Sequence, residues 1–308
     1  MKSARRLNYR GFTIVELLVV IVVIGILAAI TIVSYIGITQ KAIEVSLQSD
    51  LDNASKQLKL FQIDNSNYPT TIRCDIADSS VNKCLKSSSG NTFAYLVSNT
   101  SNPQTFLLTA TNGDNVYSIN NNSGPKPWII VGNQNWAPYN LNVGTKVPVS
   151  ASQLDNSSVE KYCYNDLESN CTTYGGLYQW NEMMQYVTTE GAQGICPAGS
   201  HIPSDNDWKI LEMALGMNQA TADLTSWRGT DQGTQLKAGG SSGLNFPMAG
   251  YRNTSSAFIS IDARELIWSS TQNGTKAWLR NTDSSNVQFR RDGSNDKEQG
   301  FSVRCLKN

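Results

Sequence analysis

The chain has one histidine and six cysteines among its 308 residues, so its options for chemistry are few. His201 would have to be the base of any Ser-His-Asp device, yet no nucleophile motif such as G-x-S-x-G accompanies it. It stands in a Pro-rich turn beside Cys196, which reads as a structural setting. No catalytic residue is expected, and the chain reads as a non-enzyme. Zinc is disfavoured too, because there is no C-x-x-C and one histidine cannot complete a usual ligand set. Asp205-Asn206-Asp207 could hold a cation, but the run Trp208 to Leu215 behind it makes it the capped start of a helix. No metal or cofactor is expected. The cysteines are even in number and all lie beyond the apolar N-terminal segment, where the environment should be oxidising. Fifteen pairings are possible. Locality and the domain division below favour Cys74–Cys84, Cys163–Cys171 and Cys196–Cys305.

Glu16 is the acid whose surroundings give it chemical weight. From Leu17 to Gln40 there is no charged residue, about 36 Å of helix at 1.5 Å per residue. A hydrocarbon core about 30 Å thick can be crossed by it, with the span at about residues 14–38. Glu16 sits within the apolar block, where a carboxylate costs several kcal/mol unless paired or held at the interface. It either snorkels to the headgroups or finds a cation in another subunit, most simply a neighbour's free N-terminus. Lys2, Arg5, Arg6 and Arg10 precede the span with no acid among them, which orients the N-terminus to the cytoplasm. A cleavable secretory signal would have a shorter apolar region with a small-residue site behind it. Here the run is too long, and any processing signal lies before it at Arg10-Gly11-Phe12.

Gly11-Phe12-Thr13-Ile14-Val15-Glu16, followed by LLVVIVVIGILAAI, resembles the class III leader and N-terminal helix of type IV pilins and pseudopilins. The resemblance implies a leader of residues 1–11, cut after Gly11 by a prepilin peptidase, with methylation of the new N-terminus at Phe12. Glu16 becomes the fifth mature residue, used in that family for subunit registry and assembly. The precursor would be a single-pass protein of the cytoplasmic membrane, in contact with lipid until it joins other pilin subunits at the cell surface. One departure is Val33, where many relatives carry a helix-breaking proline.

The helix should continue to residue 63. Ile43, Leu47, Leu51, Ala54, Leu58 and Phe61 recur at spacings of four and three, one apolar face. Asn65-Ser66-Asn67-Tyr68-Pro69 is a stop signal. Phe93–Val97, Thr105–Ala110 and Asn115–Ile119 read as short strands, the last two joined by a hairpin at Thr111-Asn112-Gly113-Asp114. Asn120 to Pro127 clusters breakers without periodicity and reads as an irregular boundary. This gives a pilin-like domain of residues 12–127 and a second domain of residues 128–308.

All seven tryptophans lie in that second domain. Gly132-Asn133-Gln134-Asn135-Trp136 with Asn140-Leu141-Asn142, Cys163-Tyr164-Asn165-Asp166 and Tyr174-Gly175-Gly176-Leu177-Tyr178-Gln179-Trp180 resemble, in order, the Fibrobacter succinogenes major paralogous domain. So do Gly194 to Pro203, Ala249-Gly250-Tyr251-Arg252, Trp268-Ser269-Ser270-Thr271 and Gly300 to Cys305. The resemblance implies a C-type-lectin-like α+β fold, akin also to the sulfatase-modifying-factor family. The copper-binding cysteine pair of the latter cannot be placed here without breaking the expected disulfides. Trp180-Asn181-Glu182 is similar to the Trp-Asn-Asp calcium and sugar motif of C-type lectins, but it opens a helix, and calcium is not expected. Tyr251, Trp227 and Trp278 could stack on sugar rings, although tryptophans of compact domains usually belong to the core.

The expected fold is α+β: a long N-terminal helix with a small antiparallel sheet, followed by a C-type-lectin-like α+β domain. Lys+Arg and Asp+Glu are balanced at 25 each, which argues against a nucleic-acid partner. The expected function is a structural subunit, a minor pilin, of a type IV pilus or related filament. Its C-terminal domain would serve adhesion or recognition of a glycan or protein ligand. The alternatives are a pseudopilin of a type II secretion-like system whose C-terminal domain binds cargo, and a membrane-tethered surface enzyme. The enzyme lacks a nucleophile–base pair.

Overall fold

The computed structural model describes residues 14–308, the side chains at 33, 34 and 36 excepted. Contacts divide the chain between Ser46 and Leu47. Helix α1 runs Ile14–Asn65 and has an N-terminal part long and apolar enough to cross a membrane. Two threonine hydroxyls in this apolar stretch are satisfied by the helix itself: Thr31 Oγ1 donates to the Leu27 and Ala28 carbonyls at 3.0 and 2.9 Å. Thr39 Oγ1 does the same to Tyr35 at 2.9 Å. Such back-bonding removes the cost of an unpaired polar group in lipid. The helix ends two residues beyond the expected 63, where Asn65 Nδ2 donates to the Phe61 carbonyl at 3.0 Å. Ser66 then turns into the left-handed region at φ 63°, a helix-terminating conformation.

Within Leu47–Asn308, the stripe Leu47, Leu51, Ala54, Leu58 and Phe61 is buried as its spacing predicts. A four-stranded antiparallel sheet follows in the order β1 (Thr92–Ser98), β2 (Thr105–Asn112), β3 (Asn115–Asn120), β4 (Ser123–Pro127). Three strands stand where the sequence placed them. The fourth replaces the irregular boundary expected at 120–127. Asn120 Oδ1 accepts from the backbone N–H of Asn122 and Ser123 at 2.8 and 2.9 Å, making the turn with a side chain. Pro125 and Pro127 are tolerated because β4 is an edge strand, where a missing N–H costs no ladder bond. Side-chain alternation sends Leu107 and Val116 to one face of the sheet, where they join the core of the C-terminal region. Phe106, Leu108, Ala110, Tyr117 and Ile119 take the opposite face, and all five are buried. Asp50 ties α1 to the loop before β1, accepting from Ser88 N–H, Ser88 Oγ and Asn91 Nδ2, each at 2.7 Å.

The remainder is a set of short strands and helices. They are β5 (Ile129–Val131), β6 (Gln134–Trp136), β7 (Thr145–Lys146), β8 (Glu160–Lys161), α2 (Glu168–Tyr174), α3 (Trp180–Met183), β9 (Ser200–His201) and α4 (Asp205–Ala214). Then come β10 (Ser226–Arg228), β11 (Tyr251–Arg252), β12 (Phe258–Ile259), β13 (Arg264–Asn273), β14 (Lys276–Asp283), β15 (Phe289–Asp296) and β16 (Leu306–Lys307). They build antiparallel sheets in the orders β10-β15-β14-β13 and β5-β6-β16-β9, a β11-β12 pair, and one parallel pair, β7-β8. The architecture is α+β, a long helix followed by several small sheets.

Two large apolar clusters, with a smaller one of Tyr162, Tyr164, Leu177 and Ala249, hold this region. One joins Trp180, Trp268, Phe301 and Val303; the other joins Trp136, Trp208, Phe246 and Phe289. Trp268 packs on Phe301 at 4.3 Å and Trp136 on Trp208 at 4.6 Å. Two buried indole N–H groups are used as well: Trp180 Nε1 donates to the Ser269 carbonyl at 2.9 Å, Trp268 Nε1 to the Tyr178 carbonyl at 2.8 Å. The six cysteines form Cys74–Cys84, Cys163–Cys171 and Cys196–Cys305. The last spans 109 residues, for which chain entropy gives about 4–5 kcal/mol.

Candidate functional site

Two groups of residues bear on function: the start of α1 and the polar clusters of the C-terminal region. Glu16 lies in the first turn of α1, where the positive end of the helix dipole favours a carboxylate. Gly11 and Phe12, the expected cleavage and methylation residues, lie outside the described residues. The side chains from Ile14 to Ile32 are exposed, an apolar surface that water does not tolerate and that lipid or packed helices would cover.

In the C-terminal region, His201 is held from both sides. Its Nδ1 lies 2.7 Å from Asn308 Oδ1 and its Nε2 lies 3.4 Å from Asp207 Oδ2. Asp207 in turn completes a capping box with Ser204, whose hydroxyl accepts from the Asp207 N–H. A cleft of about 480 Å³ lies beside this group, lined also by Asp114, Asn135 and Lys307. The hydrogen bond that His201 donates to Asp207 raises the His201 pKa above 6.5, outweighing burial. Burial would raise Asp207, but His201 and Ser204 outweigh it and hold the carboxyl below 3.8. The histidine contribution to stability is thus complete below 6.5 and lost as pH rises through its folded value. The aspartate contribution is complete above 3.8 and lost as pH falls through its own folded value. NMR titration of this sole imidazole should give a midpoint above 6.5 that falls in Asp207→Asn; an unchanged midpoint would remove Asp207 as the cause.

Asp205 belongs to neither a cation loop nor a cap. It lies buried between two arginines, with Arg280 Nη1 at 2.8 Å and Arg291 Nη2 at 2.7 Å. Glu212, one side of α4 further on, pairs with Arg228 and Arg280 and is completely buried. The helix is therefore capped by Ser204, and its two inward acids neutralise a cluster of buried guanidinium groups. Sequence reasoning missed this network, because its members come from α4, β10, β14 and β15 and share no local pattern.

Trp180-Asn181-Glu182 does not converge on one point. Trp180 and Glu182 are buried and Asn181 is exposed. Glu182 accepts from the Glu160 N–H and Tyr186 Oη, both at 2.8 Å. Cys163, Glu168 and Cys171 come close enough to hold a metal, but the disulfide uses both sulfurs. Of the aromatics offered for sugar stacking, Trp227, Tyr251 and Trp278 are each half-buried. Tyr251 packs against Phe301 at 5.8 Å, and the Arg291 guanidinium covers Trp278 at 3.7 Å.

Comparison with known proteins gives both halves a relationship. The prokaryotic N-terminal methylation motif matches residues 6–32, and the Fibrobacter succinogenes major domain matches residues 129–307. Type II secretion system core protein G of Klebsiella michiganensis is 42% identical over 67 residues, 22% of this chain and 47% of that protein. The protein of that name in Escherichia coli strain K12 is 40% identical over 62 residues, 20% of this chain and 43% of its own length. The type IV wide pilus major component PilA4 of Thermus thermophilus is 39% identical over 61 residues, covering 20% of this chain and 47% of that protein. The chain spans about half the length of the curated relatives it matches. No solved structure matches. The chain belongs to the Fibrobacter succinogenes major domain family and carries that domain after a pilin- or pseudopilin-like N-terminus.

Proposed function

We propose that the chain is a minor subunit of a type IV pilus or related filament, displaying its C-terminal domain for adhesion or recognition. The observation that carries this reading is the apolar stretch of α1 with Glu16 at its head, behind a basic leader ending in Gly11. The precursor sits in the cytoplasmic membrane with its N-terminus inside. A prepilin peptidase cuts between Gly11 and Phe12, and Phe12 is methylated. The freed helix then leaves lipid for a bundle of its own kind, where buried apolar stripes supply cohesion. Glu16 pairs with the N-terminal amine of a neighbour and fixes register.

The role is non-enzymatic, a reading supported by the engagement of both His201 nitrogens. A C-type-lectin-like fold and a glycan or protein ligand for the C-terminal domain belong to the same proposal. The second reading, a secretion pseudopilin whose C-terminal domain binds cargo, is favoured by the likeness to core protein G. Mass spectrometry of the mature protein tests what both readings share. The expected N-terminus is methylated Phe12; a start at residue 1, or beyond the span, would defeat both.

A further inference from the structure

Lys161 is the one lysine buried among the described residues, with a side chain that has no exposed surface. The fold brings it there through three short elements. Asn142 precedes β7, Lys161 ends β8, and Glu168 opens α2. The parallel β7–β8 pairing fixes the approach: Thr145 N–H donates to Val159 at 2.7 Å and Val147 N–H to Lys161 at 2.9 Å. Gly144 makes the crossing possible, at φ +95° and with a Cβ position only 2.4 Å from the Val159 carbonyl oxygen. In this frame Lys161 Nζ donates to Asn142 Oδ1 at 2.6 Å and to Glu168 Oε1 at 2.8 Å.

An amine, a carboxamide and a carboxylate thus meet where water is largely shut out. Burial lowers the Lys161 pKa although Glu168 opposes it, and a desolvated lysine is a nucleophile. Asn142 Cγ, bonded to the oxygen that Nζ contacts, is the electrophile of a primary amide. Glu168 is within reach to take and return protons. A cavity of about 230 Å³, lined by Asn142, Cys171 and Tyr174, gives a small leaving group a way out.

We propose that Lys161 and Asn142 join in an intramolecular isopeptide bond, with Glu168 as the proton-transfer group. The ammonium gives one proton to Glu168, and the neutral Nζ attacks Asn142 Cγ. Glu168 passes its proton to Nδ2, and the Cγ–Nδ2 bond breaks as the new Nζ–Cγ amide forms. The second Nζ proton passes through Glu168 to the departing ammonia, which leaves as ammonium and restores the carboxylate. One ammonium side chain and one carboxamide become one secondary amide and one ammonium ion, with no oxidant or cofactor. Fixed geometry replaces the encounter that a free amine and amide would need. The bond closes the loop between β7 and β8 next to the Cys163–Cys171 bridge, adding to the two disulfides of the domain a third covalent staple, one that reducing agents cannot open. It does not depend on the filament reading.

Peptide mapping of the full-length chain, purified in detergent with its disulfides intact, tests this. The peptides carrying Asn142 and Lys161 should be recovered as one branched species, lighter than their sum by one ammonia, with trypsin unable to cut after Lys161. In Glu168→Gln and Lys161→Arg the same peptides should be separate and of full mass. Separate full-mass peptides from the parent protein would overturn the proposal. Branched peptide at parental yield in Glu168→Gln would overturn the role given to Glu168.

Discussion

Glu16→Ala is expected to lower incorporation into surface filaments about a hundredfold while leaving the precursor in the membrane at parental abundance. The argument is one of unequal partners. Where Glu16 meets a neighbour's amine in an apolar bundle, the pair offsets the cost of burying either charge. Alanine removes only one of them, and an uncompensated buried cation costs about 3–5 kcal/mol. Each 1.4 kcal/mol is about tenfold in an association constant, so even a partly screened pair gives an effect of about two decades. In the bilayer before assembly that amine has headgroups and water, so insertion is unaffected. Immunoblots of sheared surface material against membrane fractions measure the ratio. Equal ratios for parent and variant would show that Glu16 only marks the interface. Glu16→Asp should fall between the two, because a shorter carboxylate reaches the amine less well.

The second large effect is expected at Glu212, far from the membrane segment. Glu212→Ala leaves Arg228 and Arg280 facing each other without the carboxylate that both of them contact. Burial pulls Arg228 down to about 10 although Glu212 opposes it, and alanine removes that opposition. Removing one partner of a buried ion pair costs about 3–5 kcal/mol, equivalent to a fall in Tm of roughly 10 °C for a domain of this size. Thermal melting of the full chain in detergent, followed by near-ultraviolet dichroism of the tryptophan-rich core, reads the change. A shift below about 2 °C would mean that water or Asp205 rescues the arginines. Asp223→Ala serves as the contrast, since its carboxylate is exposed and accepts from Lys209 at 2.7 Å and Gln219 at 3.0 Å. A pair of that kind contributes at most about 1 kcal/mol.

Whether a feature was legible in the sequence depended on how local its cause is. The stripe from Leu47 to Phe61 and the β2–β3 hairpin at Gly113 announce themselves through spacing and turn residues. Cys74–Cys84 and Cys163–Cys171 are short enough to be read by proximity along the chain. Strand β4 was hidden because its prolines are breakers anywhere except at a sheet edge, and being an edge is a tertiary fact. Asp205 was misread for the same reason. A carboxylate before an apolar run looks like a cap, and only β14 and β15 show that it faces Arg280 and Arg291 instead. Asn142, Lys161 and Glu168 carry no motif; a two-residue parallel pairing brings them together. The half-buried state of Trp227, Tyr251 and Trp278 was likewise outside the reach of composition, although the enclosure of the other tryptophans was not.

Immuno-electron microscopy with antibody to residues 128–308 tests the filament assignment most directly. Gold particles should lie on fibres at the cell surface, concentrated at their ends for a minor subunit, and should be lost from fibres in Glu16→Ala cells. Labelling confined to the envelope, with fibres bare in the parent strain, would contradict it.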